Sequence, residues 1–297
     1  MDSRVKKLKA KEKIEKKKER KTFYKKFLIF LIIIFVITIL YSFLVEPKLF
    51  LIHEKSIQSS KISDNMHGLK IVEFSDLHYG TSINKNNIKK ITKNINMLKP
   101  DIVIFAGDLI DDTYTPTTED IKLITEQLSN INASLGKYAI YGNHDYDIDP
   151  FQNIMYDSDF QLLKNSYDLI YKDNTNPILL YGVDDVLEGT PNLEEYNKLK
   201  DQNIYKIILV HEPDYIEEID TEKTDIVLSA HSHNKQVNLP LIGNLYLPKG
   251  AKKYYKNHYK VNNTDLYISN GIGCSKIGVR LFSIPSINFF RLLKIQG

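Results

Sequence analysis

The chain has 297 residues, enough for one large domain or two small ones, and its one cysteine, Cys274, excludes an intramolecular disulfide or a multi-cysteine zinc site. Residues 1–26 hold 13 Lys/Arg and 4 Asp/Glu, a net charge of +9, within a total of +3. The remainder holds 27 basic and 33 acidic residues, a net charge of −6, so nucleic acid is not expected as a partner of this part.

The first two elements in chain order are the basic segment 1–26 and an apolar run, FLIFLIIIFVITILYSFL, at residues 27–44. A helix of this length spans roughly 27 Å at about 1.5 Å per residue, close to the hydrocarbon thickness of a bilayer. No small-residue cleavage site follows the run, so we predict an uncleaved transmembrane anchor over residues 27–45.

The basic segment favours a cytoplasmic N-terminus, which would place residues 46–297 on the extracytoplasmic side of a cell membrane. The same segment has a second interpretation, as a binding site for anionic lipid or nucleic acid. We favour the orientation signal on a solvated helix.

Beyond Pro47, apolar runs alternate with amphipathic segments, which predicts an α/β domain over residues 46–297. Isoleucines at helical spacing predict helices over 84–98 and 121–128. We expect loop and short helix at about 146–176, and mostly strands and turns in the last sixty residues. Strands are predicted within 49–62 and at 69–75, 101–107, 137–142, 178–183, 206–210 and 225–230.

Polar side chains follow these strands where each one ends, and in α/β sheets such loops carry the functional groups. Taken singly, each such residue is more simply a structural hydrogen-bonder or a turn residue. Five clusters in this order are hard to obtain by chance. They are Asp76 and His78, Asp108, Asn143 and His144, His211, and His231 with His233.

Imidazole, carboxylate and amide groups in this number suit a pair of divalent metal ions. A two-metal site needs a bridging carboxylate and several nitrogen or carbonyl ligands. Zn, Mn and Fe all accept this combination, so the metal is not determined. A water that bridges two metals becomes hydroxide near neutral pH and can attack phosphorus.

These motifs, DLH, GDLID, GNHD, VHEP and AHSH, resemble those of the calcineurin-like metallophosphoesterases. The chain is most similar to their membrane-anchored bacterial branch, whose tail resembles ISNGIGCSKIGVRLFSIP here. The resemblance implies a four-layer α/β/β/α sandwich for the domain. It covers the chain from about residue 69 to its end.

The resemblance also implies a role for each matching residue. Asp108 would bridge the metals. His144 would not be a ligand but a catalytic imidazole that protonates the leaving oxygen or stabilises charge on the phosphoryl group, oriented by Asp111. The remaining ligands divide between two sites. Asp76, His78 and His233 would bind the first metal, and Asn143, His211 and His231 the second.

The loop after the last ligands departs from the pattern of these relatives, which usually read GHTHGGQ where this chain reads AHSHNKQ. Asn234 tolerates a positive φ well. Lys235 either has ordinary backbone geometry or serves the substrate.

We therefore expect a membrane-anchored phosphoesterase that hydrolyses a phosphodiester, pyrophosphate or phosphomonoester, with a small-molecule or lipid-linked substrate. The altered loop motivates an alternative, a catalytically weak metal-binding relative that acts as an envelope binding or scaffolding protein.

Overall fold

The structure is a computed structural model that describes residues 3–146, 150–173, 176–239, 243–244 and 247–295. The chain divides into two compact units, one ending at Val45 and one, called the body below, beginning at Glu46.

The first unit is the helix α1 (Ser3–Leu44). Its apolar part exposes large side chains all round, including Phe30, Ile34 and Ile37. Such a helix needs an apolar environment, in a membrane or in another protein. Among the described residues, this is the one helix long and apolar enough to cross a membrane.

In the body, short 3₁₀ turns lie between some of the described helices and strands. The helices are α2 (Lys85–Met97), α3 (Thr118–Ser129), α4 (Phe151–Asp157) and α5 (Glu194–Leu199). The strands are β1 (Leu51–Ser59), β2 (Leu69–Phe74), β3 (Ile102–Phe105), β4 (Gly136–Ala139), β5 (Phe160–Leu162), β6 (Ser166–Ile170), β7 (Ile178–Gly182), β8 (Tyr205–Leu209), β9 (Ile226–Ser229), β10 (Asn238–Leu239), β11 (Gly243–Asn244), β12 (His258–Val261), β13 (Thr264–Ile268) and β14 (Ser286–Lys294).

Two mixed sheets form the frame of the body. The first has the order β1-β14-β2-β3-β4-β5, with β2 to β5 parallel and β14 antiparallel to β2. The second has the order β12-β13-β9-β8-β7-β6, with β7, β8, β9 and β13 parallel. Strands β10 and β11 form a separate antiparallel pair.

Three buried apolar layers hold helices and sheets together. Ile95 of α2 and Phe105 of β3 pack in the layer between helices and the first sheet. Ile104 and Ile207 pack between the two sheets, and Tyr196 of α5 packs on the far side of the second sheet. The order of layers is therefore helix, sheet, sheet, helix, which confirms the α/β prediction and the four-layer sandwich.

Local sequence explains where the first of these helices begins. The Asn84 side chain accepts a hydrogen bond from the backbone N–H of Asn86 and so caps α2. Ile88, Ile91 and Ile95 then recur at helical spacing and are buried against the sheet. The cap and the apolar stripe together fix both the start of the helix and the face it buries.

The expectation of loop and short helix at 146–176 was wrong in part. Residues 147–149 and 174–175 lie outside the described residues, but the rest contains α4, β5 and β6. The three residues of β5 pair with β4 through backbone hydrogen bonds. A strand this short shows no periodicity in sequence, because its place is set by tertiary pairing.

Strand register brings the functional loops to one edge. Phe74, Phe105 and Ala139, which end β2, β3 and β4, are paired side by side. Leu209 pairs with Leu228 in the second sheet. The loops that follow these strands therefore start at the same level, where the two sheets meet.

Candidate metal centre

The predicted ligands converge in three overlapping groups of buried side chains. Within each group the potential ligand atoms lie within 4.8 Å of one another. The groups are Asp76, His78 and His233; His78, Asp108 and His144; and Asp108, His211 and His231.

The first group has the members expected to hold the first metal, and the third joins His211 and His231 of the second set to Asp108, the expected bridge. His233 Nε2 lies 3.1 Å from His78 Nε2 and 3.4 Å from Asp76 Oδ1. The rings of His211 and His231 pack with their centroids 5.0 Å apart. Asn143 lines the same cleft, and its Oδ1 is buried with no hydrogen-bond partner among the described residues. An orphaned amide oxygen beside these rings fits a metal ligand.

Asp108 lies between the two sets. Its Oδ2 is 3.5 Å from His78 Nε2 and 3.2 Å from His211 Nε2. Its Oδ1 accepts a hydrogen bond of 3.0 Å from the backbone N–H of His144. One carboxylate oxygen thus faces both groups, which is the geometry that a bridging ligand requires.

Outer contacts aim the imidazole rings at the centre. His211 Nδ1 lies 2.7 Å from the carbonyl oxygen of Ala106, and His231 Nε2 lies 2.9 Å from that of Lys249. A carbonyl only accepts, so these nitrogens carry the protons and the opposite ring nitrogens are free to bind a metal.

Burial and nearby charges shift the pKa values of His231 and His211 in opposite directions. Burial, followed by the charge of His211, lowers the pKa of His231 to about 3, so this ring is neutral. Burial alone would lower the pKa of His211 as well, but Asp108, together with Glu212 and Asp76, raises it well above its usual value. A cation bound among these carboxylates would replace the proton of His211.

Asp111 does not have the place expected for it. Its Oδ2 lies 3.1 Å from Nδ1 of His78, not beside His144. The backbone N–H groups of Thr113 and Lys276 donate to the same carboxylate. These bonds hold it beside His78, which lies in the loop that follows β2. Asp111 therefore orients a ring of the first group.

The carboxylate nearest the outer nitrogen of His144 belongs to the next residue, Asp112, whose Oδ2 is 3.7 Å from His144 Nδ1. Sequence reasoning missed Asp112, because two adjacent aspartates give no signal of which one faces the histidine. On the other side, His144 Nε2 lies 4.0 Å from Asp108 Oδ2. The structure thus brings His144 to the cluster, and its role as a non-ligand stays a prediction.

Comparisons with known proteins identify the family. The sequence profile described as calcineurin-like phosphoesterase matches residues 69–235. An uncharacterised metallophosphoesterase of Bacillus subtilis, YkuE, is 32% identical over 257 residues, which cover 85% of this chain and 88% of that protein. The chain belongs to the calcineurin-like phosphoesterase family. It is a metal-dependent phosphoesterase.

Two other relatives have more specific names than the Bacillus subtilis protein. The UDP-2,3-diacylglucosamine pyrophosphatase LpxG of Chlamydia trachomatis is 27% identical over 314 residues, covering 87% of this chain and 94% of that protein. A transmembrane protein with metallophosphoesterase domain from Danio rerio is 26% identical over 247 residues, covering 78% of this chain. The match spans 54% of the zebrafish protein.

The altered loop of this phosphoesterase has a left-handed backbone. Asn234 and Lys235 have φ of +46° and +76°, so Lys235 does not have the ordinary geometry that was one of its two interpretations. A non-glycine residue pays about 1–2 kcal/mol for this conformation. The Lys235 ammonium lies 4.8 Å from the centre of the Tyr255 ring and 3.3 Å from Asn238 Oδ1.

A cleft of about 590 Å³ opens above the clustered ligands. Three lysines line it, and one part of its wall is apolar. The lysines are Lys235, Lys249 and Lys276, and the apolar residues are Leu187, Val237, Pro248, Ile277 and Val279. Cationic and apolar groups therefore stand on the same cleft as the metal ligands.

A buried carboxylate clamps the two central loops together. Asp145 accepts hydrogen bonds from the backbone N–H groups of Asp108, Leu109 and Gly142 at 2.8, 2.9 and 2.9 Å. Burial and the nearby charge of Asp108 raise the pKa of Asp145 to about 7 in spite of these donors. We name this contact the Asp145 clamp; sequence reasoning assigned Asp145 no role.

We expect Asp145→Ala to lower the free energy of unfolding by about 3 kcal/mol, because each buried donor left unpaired costs about 1–3 kcal/mol. Thermal unfolding of the full chain in detergent measures the effect. Asp145→Asn keeps an acceptor oxygen and should lose clearly less stability. An Asp145→Ala variant that melts with the parent chain would contradict the clamp.

Proposed function

We propose that this protein is a membrane-anchored phosphoesterase with two divalent metal ions, Mn, Zn or Fe, that hydrolyses an amphiphilic phosphodiester, pyrophosphate or phosphomonoester. The observation that supports it is the cleft, in which Asp108 lies between the His78 and His211 sides of the cluster, below a wall of apolar and lysine side chains. The altered loop gives little support to a scaffold without catalysis, because His231 and His233 still reach the cluster.

When bound, divalent ions at such a centre supply hydroxide near neutral pH and neutralise charge on the phosphoryl oxygens. Asp76, His78 and His233 would hold one ion, and Asn143, His211 and His231 the other, with Asp108 between them. We propose that His144 gives a proton to the leaving oxygen. Its Nε2 faces Asp108, and its Nδ1 faces the carboxylate of Asp112.

The substrate class follows from the chemistry of the cleft wall. Three ammonium groups attract a phosphorylated head group, and the apolar residues offer a surface to an acyl or other hydrophobic chain. The name of the chlamydial relative, a pyrophosphatase for a diacylated sugar nucleotide, describes a substrate of the same kind. We propose a lipid-linked phosphate or pyrophosphate as the substrate.

The anchor suits such a substrate. We propose that residues 1–26 form a basic cytoplasmic tail, residues 27–45 span the cell membrane, and residues 46–297 are the catalytic domain on the extracytoplasmic side. The length and apolar composition of α1 support the span, and the charge of the tail supports the orientation.

The metal assignment predicts different outcomes for two substitutions. Asp108→Asn should lose both bound metal and turnover, because the shared carboxylate is gone. His144→Ala should keep its metal and lose turnover by about 100-fold or more, as removal of a general acid does. Metal content and hydrolysis of chromogenic diesters and monoesters are measured on the full chain in detergent, reloaded with Mn, Zn or Fe.

His258→Ala is the matched control, because His258 pairs with Asp265 on the exposed edge of the second sheet. This variant should keep metal and turnover. Loss of metal from His144→Ala would overturn its assignment as a non-ligand. A parent chain with bound metal and no turnover on phosphate esters would overturn the proposed reaction.

Lys235 allows the effects of its backbone and side chain to be separated. Lys235→Gly and Lys235→Ala both remove the ammonium group, so both should raise KM for an anionic lipid substrate by the same factor. The glycine variant alone relieves the left-handed strain, so it should be more stable than the alanine variant by about 1 kcal/mol. Unchanged KM in both variants would remove Lys235 from the substrate site.

Topology is tested with intact cells. A protease added from outside should digest the body, because the proposed orientation exposes it beyond the cell membrane. A cytoplasmic protein in the same cells should stay intact as the control. Protection of the body until the membrane is permeabilised would overturn the extracytoplasmic placement.

A further inference from the structure

We propose that the body rests on the lipid bilayer through one surface, called the interfacial patch, which consists of Lys48, Leu49, Leu51 and Phe282. The partner is the membrane surface itself, met by apolar side chains and one lysine. This inference rests on the proposed anchor but not on the proposed reaction.

Hydrogen bonds fasten the two segments of the patch to each other. The backbone N–H of Ser283 donates to the buried Glu46 carboxylate. The N–H of Leu51 donates to the carbonyl of Pro285 at 2.9 Å. Within the first segment, the N–H of Leu49 donates to the carbonyl of Glu46 at 3.1 Å. Residues 46–51 and 282–286 therefore form one continuous surface.

The apolar side chains on this surface are exposed. Leu49, Leu51 and Phe282 expose 39%, 43% and 55% of their surface. Phe282 also has a φ of +56°, which a bulky residue rarely adopts. More than half of the Phe282 surface is exposed, so packing within the body offsets this strain only in part, and an external apolar partner explains the ring better.

The chain itself indicates that this partner is lipid. The proposed span ends at residue 45, and Glu46, the next residue, is fixed into the body by Ser283. Leu49 and Leu51 follow the end of the proposed span by only four and six residues along the chain. This short separation keeps them near the bilayer surface. Lys48 adds a cation that suits anionic head groups.

The patch is also joined to the cleft. Ser283 Oγ donates to the carbonyl of His233 at 2.7 Å. The N–H of Leu281 donates to the carbonyl of Gln236 at 3.0 Å, and Gln236 Nε2 donates to that of Ile277, which lines the cleft, at 3.2 Å. A body docked on the patch would hold the mouth of the cleft near the lipid head groups.

The absence of tryptophan from the chain permits a direct test. The full chain with Phe282→Trp is reconstituted into vesicles of phosphatidylcholine and phosphatidylglycerol with brominated acyl chains, which quench nearby indole fluorescence. Met97→Trp is the matched control. Met97 exposes 61% of its surface at the end of α2, which leads into the start of β3, away from the edge that carries the site.

We expect bromolipid to quench Phe282→Trp at least about twofold more than Met97→Trp, since an indole at the interface reaches the acyl chains. Equal quenching in variants that co-float with vesicles would overturn the docking and leave the anchor standing. Failure of the chain to float would overturn the anchor and the docking with it. Hydrolysis of a water-soluble ester, measured in parallel, tests the reaction separately.

Discussion

A buried carboxylate surrounded by imidazoles is the interaction on which the site depends. Burial would raise the pKa of Asp108, but His211, His144 and His78 hold it well below its usual value. The carboxylate is therefore charged, and its Oδ2 faces ring nitrogens from loops of both sheets. These loops meet because the two sheets stack face to face with the ends of their strands on one side, so the layered fold is what brings the bridging carboxylate to both groups.

This arrangement needs backbone conformations that most residues avoid. Asp76, Asp108 and His231 all have positive φ. At another crowded point of these loops the residue is a glycine. A Cβ at Gly107 would lie 2.5 Å from the backbone nitrogen of Gly142, so no side chain fits there. The strain is held partly by contacts outside the predicted ligand set, the Asp145 clamp among them, so residues beyond the clustered side chains help to position them.

The sequence predicted the strand ends, the α/β class and which side chains cluster at those ends, because apolar runs that end in Asp, Asn or His carry that information locally. It could not give the partner of Asp111, which depends on how two loops turn after their strands. Short strands such as β5 exist only through pairing with a neighbour. Arg280 was missed for a similar reason. It is fully buried and donates to the carbonyl groups of Asn270 and Ser283, contacts that no spacing reveals.

The loop that replaces glycines with Asn234 and Lys235 shows which parts of the site are free to vary. His231 is fixed by its N–H, which donates to Asp76 Oδ1 at 3.1 Å, and His233 by its carbonyl, which accepts from Ser283. Neither hydrogen bond involves Asn234 or Lys235. The ligand geometry therefore does not depend on glycine there, and a lysine can stand in a left-handed turn beside the cleft without displacing an imidazole. Variation at this point changes the charge beside the cleft and leaves the clustered imidazoles in place.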